Sequence, residues 1–277
     1  MRDASPLRYP GGKWRVASFF ERLIRLNRLG SPSYVEPYAG GASLALSLLF
    51  TGQVSEVHLN DIDPAIYAFW YSVLTRSGDF LQLLERTPVT TDEWLKQKSV
   101  YASGMTAGRF ALGFATFFLN RTNHSGILNG GMIGGRKQAG AWRLDARFNR
   151  VELRRRIERI VRYKSRIYLS REDAIKFLAN QRFSKSSLIY IDPPYYRPGR
   201  HLYLNAYEPS DHAVLKRCVQ GLRSPWIVSY DDVPEIRALY KEVRSRRLRL
   251  IHTARSARNG DEVLLFSPRL RIPAHVQ

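Results

Sequence analysis

The residues best equipped for chemistry are Asp192-Pro193-Pro194-Tyr195, directly behind the apolar run Leu188-Ile189-Tyr190-Ile191. A carboxylate and the carbonyls beside the proline nitrogens accept hydrogen bonds, and the phenol ring offers a flat face. Together they suit a planar substrate bearing an amino group, whose two protons go to Asp192 and a carbonyl while its ring lies on Tyr195. In a purely structural role Asp192 would cap a neighbouring element and Tyr195 would fill space. Position favours chemistry. The apolar run reads as a buried strand, two prolines cannot continue its ladder, and open α/β sheets bind ligands in the loops at the carboxyl ends of parallel strands.

A second set lies nearer the N-terminus. Tyr34-Val35-Glu36-Pro37-Tyr38-Ala39-Gly40-Gly41 reads as a strand running into a small-residue turn, followed by a helix of Ala, Leu and Ser up to Phe50. The turn lacks the full G-x-G-x-x-G spacing, so a nucleoside with an amino-acid tail fits it better than a phosphate. The next strand, residues 57–61, ends in Asp61, close to the spacing at which an acid meets ribose hydroxyls in such folds. Asp63, just ahead of Pro64, reads as a helix cap. Tyr9-Pro10-Gly11-Gly12-Lys13 precedes a helix over residues 16–26, with glycines that permit close backbone approach and a cation for a carboxylate. The same five residues would also make a plain turn. Asp173, after a strand at 167–169, reads equally as a helix cap and as the acceptor of an adenine amine.

These loops need a sheet to carry them. Strand-and-helix alternation before residue 76 and after residue 165 predicts a mixed, mainly parallel α/β sheet with helices on both faces. Its later elements are a helix at 211–222, a strand at 226–230, a helix at 234–240 and a final pair near 249–253 and 262–266. Between lies a mostly helical insertion, with helices expected at 94–100, 110–119 and 151–163 and a glycine-rich loop or hairpin at 120–140.

The chain of 277 residues carries 44 Lys and Arg against 24 Asp and Glu, a formal charge of +20, which points to a polyanionic partner. No apolar segment approaches membrane-spanning length and residues 1–13 hold no signal core, so nucleic acid and a cytoplasmic location are expected, with no membrane partner. The single cysteine, Cys218, excludes an internal disulfide and a cysteine zinc cluster. Cations gather at Arg154, Arg155, Arg156, Arg159 and Arg162, a stripe opposite the apolar face of the 151–163 helix, and in a presumed loop at 244–258. A solvated face is the plainer explanation of such a stripe. For base reading, the glycine-flexible stretch 120–143 offers Asn120, Arg121, Asn123, His124, Asn129, Arg136, Lys137 and Gln138. Asn120 and Arg121 are better suited to bracing, and Arg136 and Gln138 to base contact.

Residues 9–266 resemble the Dam-type adenine-specific DNA methyltransferases, through several motifs in order. Residues 8–13 are similar to that family's N-terminal cofactor segment, residues 36–41 to its glycine loop for the methionine part, and Asn60-Asp61-Ile62 to its ribose-binding segment. Phe118-Leu119-Asn120-Arg121-Thr122 and Ala146-Arg147-Phe148-Asn149 resemble the flanks of its DNA-recognition module, and Asp192-Pro193-Pro194-Tyr195 matches its catalytic tetrad.

The resemblance implies a Rossmann-like methyltransferase sheet formed by residues 1–75 and 165–277, with a mainly helical target-recognition domain inserted at 76–164. It implies S-adenosylmethionine as cofactor, no metal, and methyl transfer to the exocyclic amine of an adenine flipped out of double-stranded DNA. Asp192, Pro193, Pro194 and Tyr195 are then catalytic. Tyr9, Gly12, Lys13, Glu36, Pro37, Tyr38, Ala39, Gly40, Gly41, Asp61, Ile62, Asp173 and Asp192 face the cofactor. Asn120, Arg121, Asn123, Arg136, Lys137, Gln138, Arg154, Arg155 and Arg159 face DNA. The glycine-rich residues 126–140 depart from the GATC-reading enzymes, so the target sequence does not carry over. A cytosine-amine or RNA methyltransferase would use a similar tetrad, and an idle DNA-binding protein would keep the basic insertion. Those alternatives stay open, as do a cognate restriction endonuclease and the oligomeric state.

Overall fold

A computed structural model describes residues 4–8, 13–180, 183–196, 207–250 and 260–274. By its internal contacts the chain divides into two units, residues 1–3, 11–61 and 172–277 in the first and residues 4–10 and 62–171 in the second.

The first unit is the α/β one. Its strands are β1 (Ser33–Glu36), β2 (Glu56–Asn60), β4 (Leu188–Ile191), β5 (Trp226–Asp231), β6 (Arg244–Leu250) and β7 (Gly260–Phe266); β3 belongs to the second unit. They run in the order β2-β1-β4-β5-β7-β6. The pairs β1–β2, β1–β4 and β4–β5 are parallel, whereas β7 lies antiparallel to both β5 and β6. Every residue of β4 is buried, the pattern of a strand covered on both faces. Packing comes from α1 (Ala17–Leu26), α2 (Ser43–Phe50), α8 (Ala174–Asn180), α9 (Pro209–Gln220) and α10 (Pro234–Leu239). One face of the sheet closes over Val35, Ile189, Ile191, Val228 and Tyr230 with Leu215, Val219 and Ile236 from the helices. The helix α2 is buried at all eight positions, which its Leu- and Ala-rich sequence permits.

The final pair starts earlier than its sequence suggests. Residues expected as a cationic loop from 244 are instead the strand β6 up to Leu250, and residues 251–259 lie outside the described ones. A sheet edge carries charges in place of apolar alternation, so its period is hidden. Arg244 donates to the carbonyls of Ser267, Pro268 and Leu270, and Arg247 pairs with Asp232 at 3.0 Å. Those two arginines are committed within the fold.

The second unit holds α3 (Pro64–Thr75), α4 (Ser77–Arg86), α5 (Thr91–Ala102), α6 (Arg109–Thr122), α7 (Arg150–Arg162) and β3 (Ile167–Ser170). Asp63 caps α3 by accepting from the Ala65 amide, as expected, and Thr90 and Asn149 cap α5 and α7. Its core is aromatic, with Phe69 stacked on Phe117 at 6.1 Å and Phe80, Phe114 and Phe148 around them. Gly113 lets α6 touch α3, because a Cβ there would lie 2.3 Å from the Ala68 carbonyl oxygen. Residues 123–149 form turns, short 3-10 segments and a single bridge between Asn123 and Met132.

Candidate active site

The parallel strands β1, β2 and β4 end together at one edge of the first unit, and residues 36–41, Asp61 and Asp192 lie there. Asp192 follows β4 with its side chain 26% exposed, while Pro193 and Pro194 are buried and Tyr195 is half-buried. Asp192 Oδ1 accepts from Ser229 Oγ on β5 and lies 3.3 Å from Lys13 Nζ. Ser229 is itself bonded to the Tyr190 hydroxyl at 2.8 Å. The Lys13 ammonium donates to both oxygens of Glu262 on β7, at 2.9 and 2.7 Å, and the Tyr195 hydroxyl donates to Glu262 Oε1 at 2.6 Å. Neither Glu262 nor Ser229 stood out in the sequence. The available signal was an acid inside an otherwise apolar strand, and Glu262 is 2% exposed.

Lys13, expected to supply a cation for a carboxylate, meets two carboxyl groups of the chain itself, Glu262 at 2.7 and 2.9 Å and Asp192 at 3.3 Å. Burial works against its charge, yet Asp192 and Glu262 hold its pKa well above the usual lysine value. Burial pushes the Asp192 carboxyl up from the ordinary Asp range, the nearby Glu262 charge adds to that, and Lys13 and Ser229 pull it back. The arrangement holds a half-covered carboxyl group with one of its oxygens, Oδ1, occupied by Ser229 and facing Lys13.

The other loop edge is equally well specified. Gly40 and Ala42 both have φ 46°, a left-handed conformation that turns the chain from β1 into α2 and is strained at the alanine. The Gly40 amide donates to Asp61 Oδ2 at 2.8 Å, so the acid at the end of β2 also fixes the turn after β1. Asn60, fully buried, donates to the carbonyls of Pro37 and Glu172, while Ala39 N donates to its backbone oxygen. Glu36 sits beneath the turn, 4% exposed, accepting from the Tyr34 hydroxyl and the Ala45 amide. Burial pushes its pKa up to about 8, so it is a neutral carboxyl at pH 7. Pro37, Ala39, Gly40 and Gly41 are buried, and Tyr38 shares a 2.7 Å bond with the Tyr207 hydroxyl. Asp173 accepts from the Lys176 amide and so caps α8. Ile62 is 41% exposed, and Tyr9 and Gly12 lie outside the described residues.

The sequence pattern of the D12 class N6 adenine-specific DNA methyltransferases matches residues 9–254. The chain belongs to that family. It is therefore an adenine-specific DNA methyltransferase, with DNA as its substrate class. No curated protein matches the chain. Among solved structures, the rRNA methyltransferase aviRa from Streptomyces viridochromogenes matches with 16% identity and a TM-score of 0.41, over 93% of this chain and 86% of its own. No helix among the described residues is long and apolar enough to cross a membrane.

For a DNA methyltransferase the second unit's polar residues matter next, and the structure sorts them. Asn120 and Asn123 are 1% and 0% exposed, with their amides committed to the Arg8 backbone, the carbonyls of Gly126, Ile127 and Leu128, and the Trp94 indole. Burial removes both from the set that can touch DNA. Arg121 donates to the Arg147 carbonyl, the bracing role. Gln138 also turns inward: its amide donates to the carbonyls of Ile133 and Gly135 and accepts from the Leu144 amide, stapling the loop that Gly134 and Gly135 bend. A base contact by Gln138 would break those bonds. Arg136 and Lys137 remain exposed, as do Arg143, Arg147 and the 66%-exposed Trp142, whose ring lies 5.5 Å from the Arg147 guanidinium. On α7, Arg154 pairs with Glu85 and Glu158, Arg155 and Arg156 pair with Glu152, and Arg159 is half-buried. Three of the stripe's arginines are thus paired with acids of α4 and α7, as a solvated face would have them, and Arg162 is exposed.

Proposed function

We propose that this enzyme transfers a methyl group from S-adenosylmethionine to the N6 amine of an adenine flipped out of double-stranded DNA, in the cytoplasm. Asp192 carries the reading. Its Oδ1 is held by Ser229 and Lys13, its Oδ2 has no partner among the described residues, and its side chain is open enough to meet a substrate.

The residues at the strand edge fit the cofactor's chemistry. S-adenosylmethionine supplies a methyl group on a cationic sulfur, and it brings ribose hydroxyls and an amino-acid tail. The carboxyl groups of Asp192 and Glu262 and the Lys13 ammonium carry a formal sum of one negative charge beside that edge. Asp61 offers a carboxylate for the ribose hydroxyls, and the small residues 39–41 leave room for the tail. Lys13 stays with its own carboxylates.

Adenine's amine is a weak nucleophile because its lone pair is delocalised into the ring. Asp192 Oδ2 and the Pro193 carbonyl accept its two protons and favour the pyramidal nitrogen that attacks, and Tyr195 offers its ring to the base. Once methylated, the nitrogen is acidic and gives a proton up toward Asp192. Extracting the base from the stack costs on the order of a few kcal/mol, which stacking on Tyr195 partly offsets. Residues 76–164 serve as the target-recognition module, with Arg136, Lys137, Arg143 and Arg147 facing the DNA.

The test is Asp192→Ala with a tritiated methyl donor and plasmid DNA free of methyladenine. Losing an oriented acceptor of this kind should lower transfer about 100- to 1,000-fold with cofactor binding retained. Near-normal turnover would remove Asp192 from the mechanism. Nucleoside analysis of the wild-type product should give N6-methyladenine, and N4-methylcytosine or methylated RNA alone would overturn the substrate.

A further inference from the structure

We infer that Glu262 is a positioning residue for methyl transfer: by holding two donors of Lys13 and the Tyr195 hydroxyl, it sets how far Lys13 neutralises Asp192 and where the Tyr195 ring lies. The inference rests on the reading of Asp192 as acceptor of the amine.

Sheet formation does not require an acid here. β7 is joined to its neighbours through its backbone, and Val263, Leu264, Leu265 and Phe266 are all buried apolar residues. A carboxylate 2% exposed in such a strand is costly unless it is paired and hydrogen-bonded, and its partners here are two groups of the reaction centre. Register contributes too. Glu262 is paired with Asp231, two residues beyond Ser229, so the residue that donates to Asp192 and the residue that restrains Lys13 share one face of the sheet.

The distances rank the competition for Lys13. Its ammonium lies 2.7 and 2.9 Å from the Glu262 oxygens and 3.3 Å from Asp192 Oδ1, so its two shortest contacts are with Glu262. With a neutral residue at 262 the cation would turn to Asp192, and a fully paired carboxylate is a weaker acceptor for an amine proton. The other groups around Asp192 are Tyr190 on β4, Tyr34 and Glu36 on β1, and Tyr195. Burial keeps the first two phenols un-ionised and Glu36 neutral to about pH 8. Lys13 and Glu262 are thus the charges that set the state of Asp192 at neutral pH. Tyr195 is tied by the same carboxylate, which places its ring 5.9 Å from the Lys13 ammonium.

The experiment compares Glu262→Gln, Glu262→Asp and Tyr195→Phe with the wild type, using tritiated S-adenosylmethionine and methyladenine-free plasmid DNA. Glu262→Gln should move the acid limb of the rate–pH profile to lower pH and lower kcat about ten- to a hundredfold, the worth of a charge-assisted hydrogen bond, with little change in cofactor KM. Carbon-13 NMR of aspartate-labelled protein without cofactor, with the Asp192 signal identified by its loss in Asp192→Asn, should show the same carboxyl titrating lower. Glu262→Asp keeps the charge and should hold the limb where the wild type has it. Tyr195→Phe loses only the hydroxyl bond, so it should raise the DNA KM and leave the limb in place. Superimposable limbs and Asp192 titrations for Gln and wild type would overturn the inference, as would an Asp variant that shifts the limb as far as Gln does. If Gln fails to fold, the Asp variant's limb and Asp192 titration decide, a shift in either counting against the role. A wild type that methylates no adenine in DNA would instead sink the reading of Asp192.

Discussion

Glu36 makes the sharpest test of the site's electrostatics. It is buried under the turn between β1 and α2, and both of its visible hydrogen bonds go to Oε1, from the Tyr34 hydroxyl at 3.1 Å and the Ala45 amide at 3.2 Å. Burial, with the Asp192 charge adding, raises its pKa from 4.5 to about 8. Between those values the folded chain holds a proton that the unfolded chain has lost, so stability falls as pH rises through the window. At about 1.4 kcal/mol per tenfold change in proton affinity, the full loss approaches roughly 5 kcal/mol above pH 8. Glutamine has the same shape, accepts the same two bonds and has no proton to lose. Glu36→Gln should therefore match the wild type within about 1 kcal/mol near pH 4.5 to 5 and become the more stable protein by several kcal/mol at pH 9. Urea unfolding of both proteins at pH 5, 7 and 9 measures the difference directly. Parallel curves across that range would mean that Glu36 is already ionised in the fold at pH 5, and the neutral-carboxyl argument would fail.

Three further outcomes follow from particular contacts. Asp61→Ala should weaken S-adenosylmethionine by about one to two orders of magnitude, and Asp61→Asn by less because it still accepts from Gly40; calorimetry with equal affinities in all three proteins would refute it. Arg136→Ala and Lys137→Ala should each reduce the slope of log DNA affinity against log salt by about one, whereas Arg155→Ala, already paired with Glu152, should leave it unchanged; equal effects at all three positions would restore the α7 stripe as a phosphate contact. Gly113→Ala drives a methyl group into the Ala68 carbonyl and should cost about 1 to 3 kcal/mol or more, so an unshifted urea midpoint would contradict the close approach of α3 and α6.

Much of this was legible in the sequence because buried parallel strands write themselves as short apolar runs. Residues 188–191 ending at Asp192 read correctly for that reason, the strand expected at 57–61 is there one residue earlier as Glu56–Asn60 with Asp61 just beyond it, and Asp63 ahead of Pro64 carried a full cap signal. Where the polar side chains go was less legible. Asn123 and Gln138 were candidate base readers because they are polar residues in glycine-rich chain, yet a compact loop without regular ladders has its own carbonyls and amides to satisfy, and these side chains supply partners, as Asn120 does in the bracing role expected of it. The arginines of α7 looked like a phosphate stripe because Glu85, their neighbour from α4, is about seventy residues away in sequence and Glu152 and Glu158 are too few to suggest full pairing. In β6 the arginines concealed a strand. Side-chain destination, unlike strand position, is decided by neighbours that are distant along the chain.

The candidate site shows the same point at its longest range. Lys13 and Glu262 are 249 residues apart, and neither has a local reason to be charged. What joins them is the direction of β7. A parallel strand after β5 would deliver its last residues to the edge where Asp192 lies, and a connection would have to follow. Because β7 runs antiparallel, its beginning arrives there, with Glu262 opposite Asp231 at the end of β5. The acid reaches the edge that carries Asp192 while the four apolar residues behind it close the core. An antiparallel strand beside β5 thus does two things a parallel one could not do with the same sequence: it seals the sheet with 263–266, and it places a buried carboxylate within reach of the lysine that faces Asp192.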